Sequence, residues 1–325
     1  MLTYLVTGGA GFIGSNFVEY MLNKYKDIKV IILDNLTYAG NLNNIKDELK
    51  DDRTVFIKGD ICDKKLVSEL FEEYDINYVV NFAAESHVDN SILNPEIFAK
   101  TNVEGTVNLL GVACNSWSNN FKNRKFVQIS TDEVYGSIAN EDKELFTEET
   151  SIKHRSPYSA SKASADFFVK AFHSTYGLPI NITRCSNNYG KKQHVEKLIP
   201  TIISNMLVEK PVPIYGDGLQ IRDWLCVEDH CSAIDLVIHH GKIGEIYNVG
   251  GNNEIKNLDM VNIIGDYMVE NEVIHQYFIK HVEDRKGHDR RYAICSKKIQ
   301  EELGWTPKVD FEKGIQDTVD WYLNN

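Results

Sequence analysis

The chain has 325 residues, 42% of them hydrophobic and 25% charged, a balance that excludes disordered and fibrous chains and gives enough length for a large core and two lobes. Its formal net charge is −12, and its basic pairs (Lys191–Lys192, Arg290–Arg291, Lys297–Lys298) are scattered, which excludes a surface that tracks nucleic acid. Any anionic ligand must therefore be held locally. The six cysteines lack CxxC spacing, the amino-terminal segment lacks the features of a secretory leader, and no apolar run reaches the roughly 18 residues of a membrane span. Reduced thiols, a cytoplasmic location and no membrane partner are expected. Cys226, His230 and Cys231 could share one helix face, but no second ligand pair follows at zinc spacing, so core packing rather than a metal is expected there.

In chain order, "LTYLVT" (2–7) predicts a short buried strand, "GGAGFIG" a glycine turn, and 12–25 an amphipathic helix. Gly8, Gly11 and Gly14 suit a tight turn, close backbone approach to a pyrophosphate, and close helix–strand packing. The second strand, "KVIILD" (29–34), ends in Asp34, twenty positions after Gly14. An acid there accepts both ribose hydroxyls of adenosine and repels a 2′-phosphate, favouring NAD over NADP.

Further strands are expected near 54–58, at 78–83, at 125–130 and at 179–185, separated by helical stretches. That alternation predicts an α/β fold with a doubly wound parallel sheet (Rossmann), whose ligands gather at the carboxyl ends of the strands. Asp60, "AAESH" (83–87) and "STDE" (130–133) fall at such ends. Beyond about 186 the alternation fades, so residues 1–185 are expected to form the dinucleotide-binding domain and 186–325 a smaller α/β substrate lobe, with some segments interleaved.

The segment from Ser156 and Pro157 predicts a helix with Ala163, Phe167 and Val169 on its apolar face. Tyr158 and Lys162, four residues apart, project from one face, and the ammonium is expected to lower the tyrosine pKa and make it a base for a hydroxyl proton. Thr131 lies 27 residues upstream, at a strand end. The adjacent carboxylates Asp132 and Glu133 in "STDEVYG" suit either a surface turn or an acid and a base acting on one substrate.

The set "TGGAGFIGSNF", "DNLTYAGN", "FAAESHVDNSI", "STDEVYG", "YSASKASAD", "TRCSNNYG", "EKLIP", "PIYGDGLQIRDWL" and "DRKGHDRRYAI" resembles the nucleotide-sugar 4,6-dehydratases of the extended short-chain dehydrogenase/reductase family over nearly the whole chain. The resemblance implies NAD as cofactor, held by Gly8, Gly11, Phe12, Ile13, Gly14, Asp34, Asn35, Thr37, Asp60, Ile61, Ala83, Ala84, Thr101, Tyr158 and Lys162. It implies dTDP-glucose as substrate, with UDP-glucose as the alternative, held by Ser86, Thr131, Asn187, Lys197, Leu198, Pro213, Tyr215, Arg222, Asn257, Arg285 and His288. In the implied reaction Tyr158, helped by Thr131 and Lys162, takes the proton of the 4-hydroxyl. Glu133 removes the proton at carbon 5, and protonated Asp132 assists departure of the 6-hydroxyl. A sugar-nucleotide 4-epimerase needs no such acid pair, and a silent NAD-binding regulator needs none of the five. A homodimer through the helix near 95–117 and the Tyr158 helix is also implied. One departure from the resemblance is the stretch "KKQHV" (191–195) before "EKLIP", in a loop that should border the diphosphate; its lysines either help bind phosphate or are solvated, and solvation is expected.

Overall fold

The computed structural model describes residues 1–118, 120–139 and 144–325. The first strand, β1 (Leu2–Thr7), leads through the glycine turn into α1 (Phe12–Lys24) and back to β2 (Ile28–Asp34). Then follow β3 (Thr54–Lys58), α2 (Lys64–Glu73) and β4 (Tyr78–Asn81). Short helices α3 (Val88–Leu93) and α4 (Pro95–Phe98) run through a π-helical stretch, Ala99–Glu104, into α5 (Gly105–Trp117). Next come β5 (Lys125–Thr131), α6 (Pro157–Tyr176) and β6 (Ile180–Cys185). The strands are Val- and Ile-rich runs that helices cover on both faces, as a parallel sheet requires.

The remaining elements alternate between two bodies. Strand β7 (Asn187–Tyr189), α7 (Leu198–Leu207), β8 (Val212–Tyr215) and β9 (Ile221–Cys226) build the second lobe. Helix α8 (Val227–His240) then packs on α1, and β10 (Ile246–Val249) joins β6 in the large sheet. Strand β11 (Glu254–Lys256), α9 (Asn257–Glu270) and β12 (Ile279–Val282) return to the second lobe, followed by α10 (Lys297–Leu303), which packs on β10, and α11 (Phe311–Asn324). Segments after 186 thus fall in both bodies, α8, β10 and α10 with the large sheet and the others with the second lobe.

Among the described residues the large sheet has seven strands, all parallel, in the order β10-β6-β5-β4-β1-β2-β3. The order reverses between β1 and β4, so the connections leaving their carboxyl ends diverge and open a crevice. Small sheets β11-β9-β7 and β12-β8 and a separate apolar cluster around Ile199, Ile202, Trp224, Met260 and Ile264 form the second lobe beside it. No described helix is long and apolar enough to cross a membrane.

Two details of α6 matter for the site. Ser156 and Ser159 form a reciprocal capping box, Pro157 occupies the first turn, and Gly177 closes the helix at φ 67°, so the position of Tyr158 and Lys162 is fixed from the helix start. Its apolar face is narrower than expected: Ala163 and Val169 are buried, but Phe167 is 57% exposed.

Candidate active site

The glycine turn is built for contact from outside. Gly8 adopts φ 66°, and a Cβ there would lie 2.7 Å from the Ala83 backbone nitrogen; a Cβ on Gly14 would lie 2.3 Å from the Gly8 carbonyl oxygen. Both glycines are thus required by packing. Gly11 differs, since a Cβ there would meet only the Gly8 oxygen at 3.2 Å and otherwise occupy the cleft. Gly11 also caps α1 without a side-chain hydrogen bond, and the first turn has no acid, which leaves backbone N–H groups for an anion. Asp34 braces this turn: its two oxygens accept from Ala10 N (2.9 Å) and Leu36 N (2.8 Å). Burial raises its carboxyl pKa while both backbone bonds oppose that rise. These residues fit a dinucleotide with its diphosphate at Gly11 and its ribose at Asp34.

All the residues expected at the cofactor line one continuous cleft with Ser86, Thr131, Asp132, Glu133, Asn187 and Lys197. At its centre β5 ends in a 3-10 turn, Asp132–Tyr135, with the Thr131 hydroxyl accepting from Glu133 N at 3.2 Å. Behind the turn, the Tyr135 hydroxyl donates to Asn248 Oδ1 (2.8 Å) and accepts from Arg184 (2.9 Å), while Arg184 and Ser130 both donate to Asp166 at 3.0 Å. This buried network holds the acid pair against the sheet.

The two acids have different surroundings. Asp132 is 1% exposed; Thr131 donates to its Oδ1 at 3.3 Å, and its Oδ2 has no partner among the described residues. Burial, then the carboxylates of Glu133 and Asp223, drive its pKa well above the ordinary carboxyl range. Glu133 is half-buried, and its pKa is also raised by burial, but Arg285, Arg222 and Lys197 oppose the rise. Both carboxyls are thus raised, Asp132 well above the ordinary range and Glu133 against the pull of three cations, an ordering that suits Asp132 as the acid and Glu133 as the base.

Tyr158 departs from expectation. Its pKa is pushed up rather than down, first by burial and then by Glu133. Lys162 does not offset this, because its ammonium is directed at the Ile129 carbonyl (2.6 Å) and burial lowers its own pKa.

The remaining expected substrate residues stand outside that lining, mostly toward the second lobe. Tyr215 and Arg285 both face Asp89, at 3.3 and 3.8 Å, and His288 bonds Asp284 at 2.6 Å. Arg222 is buried, donates to the Ile221 and Asp289 carbonyls, and lies 4.3 Å from the Tyr292 ring centroid. Leu198 opens α7, Pro213 is exposed on β8, and Asn257 opens α9 with a buried, unpartnered Oδ1. Charge connects this group to the cleft, since Arg222 and Arg285 both act on Glu133.

Several contributors were not singled out from sequence. Glu85, Gln193, His194 and Glu196 line the cleft. Asn102, in the π-helical stretch, bonds both backbone groups of Glu85 and the Ser161 hydroxyl, tying the loop after β4 to α6. Glu85 and Glu196 lie inside quoted motifs, whereas Asn102 carries no local signal. Lys191 and Lys192 are not solvated as expected: α1 passes beside their loop, and both pair with Glu19.

A family model described as GDP-mannose 4,6 dehydratase matches residues 5–318. The chain is 50% identical to a dTDP-glucose 4,6-dehydratase of Xanthomonas campestris pv. campestris (strain B100), with 100% of this chain and 94% of that protein aligned. It is similar to the crystal structure of dTDP-glucose 4,6-dehydratase from Bacillus anthracis in complex with NAD (TM-score 0.89, 48% identity, 100% and 97% of the two chains covered). It is also similar to the Streptomyces venezuelae enzyme of the same name with NAD and TYD bound (TM-score 0.92, 44% identity, 100% and 98% covered).

Proposed function

The chain belongs to the GDP-mannose 4,6 dehydratase family, and we propose that within it the protein converts dTDP-glucose to dTDP-4-keto-6-deoxyglucose and water, with NAD as a cofactor that is regenerated in each cycle. The observation that carries this reading is the Asp132–Glu133 pair at the end of β5: a carboxyl only 1% exposed beside a second carboxyl, both lining the cleft that Tyr158 and Lys162 also line. Oxidation and reduction at one sugar carbon need no such pair, whereas elimination of water needs both members.

NAD, when bound, supplies a hydride acceptor for carbon 4, a hydride donor for carbon 6 and a positively charged ring. Gly11 and the first turn of α1 would hold its diphosphate, with Gly8 and Gly14 shaping the turn, and Asp34 would hold its adenosine ribose. In the free protein burial and Glu133 keep Tyr158 a phenol. Added positive charge in the cleft favours its phenolate, which can then take the proton of the 4-hydroxyl. A ketone at carbon 4 acidifies the proton at carbon 5, and Glu133 removes it and later returns it. Asp132 gives its proton to the departing 6-hydroxyl. Tyr158 ends with one proton gained and Asp132 with one lost, so a single proton transfer resets the site. Each such acid or base role contributes ~10²–10⁴ in rate.

Arg222 and Arg285 suit the sugar-nucleotide diphosphate, Arg222 already fixed by two carbonyls and the Tyr292 ring. A homodimer through α5 and α6 fits the exposed Phe167 (57%) and Phe168 (43%), and a cytoplasmic location fits six free cysteines. The reading is tested by incubating the protein with dTDP-glucose and following product mass and NADH absorbance together. Loss of one water without accumulating NADH is expected; an unchanged substrate mass, or stoichiometric NADH, rejects it.

A further inference from the structure

The loop between β7 and α7 supplies cleft wall through Gln193, His194, Glu196 and Lys197, but it is fastened elsewhere. Lys191 Nζ lies 2.6 Å from Glu19 Oε1, and Lys192 Nζ lies 2.8 Å from Glu19 Oε2 and 3.4 Å from Glu48 Oε1. Asn16 Nδ2 adds a hydrogen bond to the Lys191 carbonyl at 3.0 Å. Asn16 and Glu19 sit one turn apart on α1, the helix whose first turn meets the cleft at Gly11. On its inner side the loop sets the His194 ring edge-on against Tyr38, with centroids 5.6 Å apart, so it also touches the segment that follows Asp34.

Two features separate this contact from an ordinary surface ion pair. The Lys192 side chain is only 12% exposed and that of Glu48 only 9%, so solvent screens them weakly. Lys192 also has φ 69°, a left-handed conformation uncommon for a non-glycine residue, and two carboxylates hold its ammonium.

We infer that Lys191 and Lys192, with Glu19 and Glu48, form an ionic clasp that holds the Gln193–Lys197 wall against the dinucleotide-bearing side of the cleft and sets how long a bound nicotinamide dinucleotide stays in the protein. This rests on the reading of the cleft as an NAD site. In that reading the hydride taken from carbon 4 is returned to carbon 6, so a dinucleotide that leaves between the two transfers strands an oxidised sugar. Retention by groups outside the chemistry prevents that loss. The four are positioning residues and touch no reacting atom.

The test is the dissociation rate of NAD from the loaded protein, measured by exchange against an excess of labelled NAD at low and high salt. Wild type is compared with Lys191→Ala/Lys192→Ala, with the isosteric Glu19→Gln, with Lys192→Arg, and with Lys50→Ala, which removes an exposed pair to Asp47. Dissociation is expected to quicken about tenfold in the double variant and in Glu19→Gln. Because the pair is screened weakly, salt should change the wild-type rate far less than the substitutions do, and Lys192→Arg and Lys50→Ala should match wild type. At saturating NAD, kcat for dTDP-glucose should change far less than the dissociation rate. Folded Glu19→Gln that releases NAD at the wild-type rate overturns the clasp. Wild type that holds no NAD overturns the reading of the cleft, and the clasp with it.

Discussion

Asp132 and Glu133 are adjacent in the chain, yet the first is 1% exposed with an unpartnered Oδ2 and the second reaches the cleft under the influence of Arg285 and Arg222. That difference in surroundings favours the neutral form of Asp132 more than that of Glu133, and burying Asp132 costs stability.

Asp132→Asn should therefore be more stable than wild type while losing ~10²–10⁴ in turnover. The folded-state pKa of Asp132 is raised, so wild type loses stability as pH climbs above the ordinary carboxyl value of about 4, and the Asn variant does not. Melting temperatures across pH 4 to 8 should show the gap opening upward, with NAD binding retained.

The glycine turn separates packing from binding. Gly14→Ala should unfold the protein or sharply lower its melting temperature, because its Cβ would lie 2.3 Å from the Gly8 oxygen. Gly11→Val should leave the fold intact and abolish NAD binding, since its side chain would fill the cleft. Thermal melts and NAD titration of the two variants distinguish the roles.

Tyr158 should titrate differently with and without cofactor. Burial and Glu133 raise its pKa in the free protein, and NAD should bring it down. The phenolate difference spectrum between wild type and Tyr158→Phe, recorded with and without NAD, should move to lower pH on binding; an identical midpoint would remove Tyr158 as the base.

Lys125, buried under α8, donates to the Val237 and Gly241 carbonyls at 3.0 and 2.9 Å, and burial lowers its pKa to about 8. Lys125→Met should cost about 1–3 kcal/mol by leaving those carbonyls bare. Because the folded state prefers the neutral amine, wild type gains stability between about pH 8 and the unfolded value near 10.4, and the deficit of the variant should widen over that window.

Phe167→Asp together with Phe168→Asp should yield a folded monomer by sedimentation equilibrium if α6 pairs with its copy, at no cost to the buried Ala163 and Val169.

Local pattern made much of this site legible. The glycine spacing, the buried strand ending in Asp34 and the Tyr158–Lys162 interval are short-range features, and they fall where strand ends converge. What stayed hidden depends on distant partners. Tyr135 meets Asn248 across 113 positions, and Lys191 meets Glu19 across 172. The effect of Lys162 on Tyr158 was misjudged because helical spacing says which face a side chain leaves from, and not that Ile129 offers the ammonium a carbonyl. Phe167 reads as inward from the sequence because helical spacing alone does not say which aromatic residues the core covers.

In the proposed reaction hydride leaves carbon 4 and returns to carbon 6 of the same sugar while Asp132 and Glu133 remove water. The most direct measurement is mass spectrometry of the product made from dTDP-glucose carrying deuterium at carbon 4. A product lighter by one water, with the deuterium at carbon 6, is the predicted result. Water loss with the label washed into solvent, or a labelled sugar recovered intact apart from inversion at carbon 4, would contradict it.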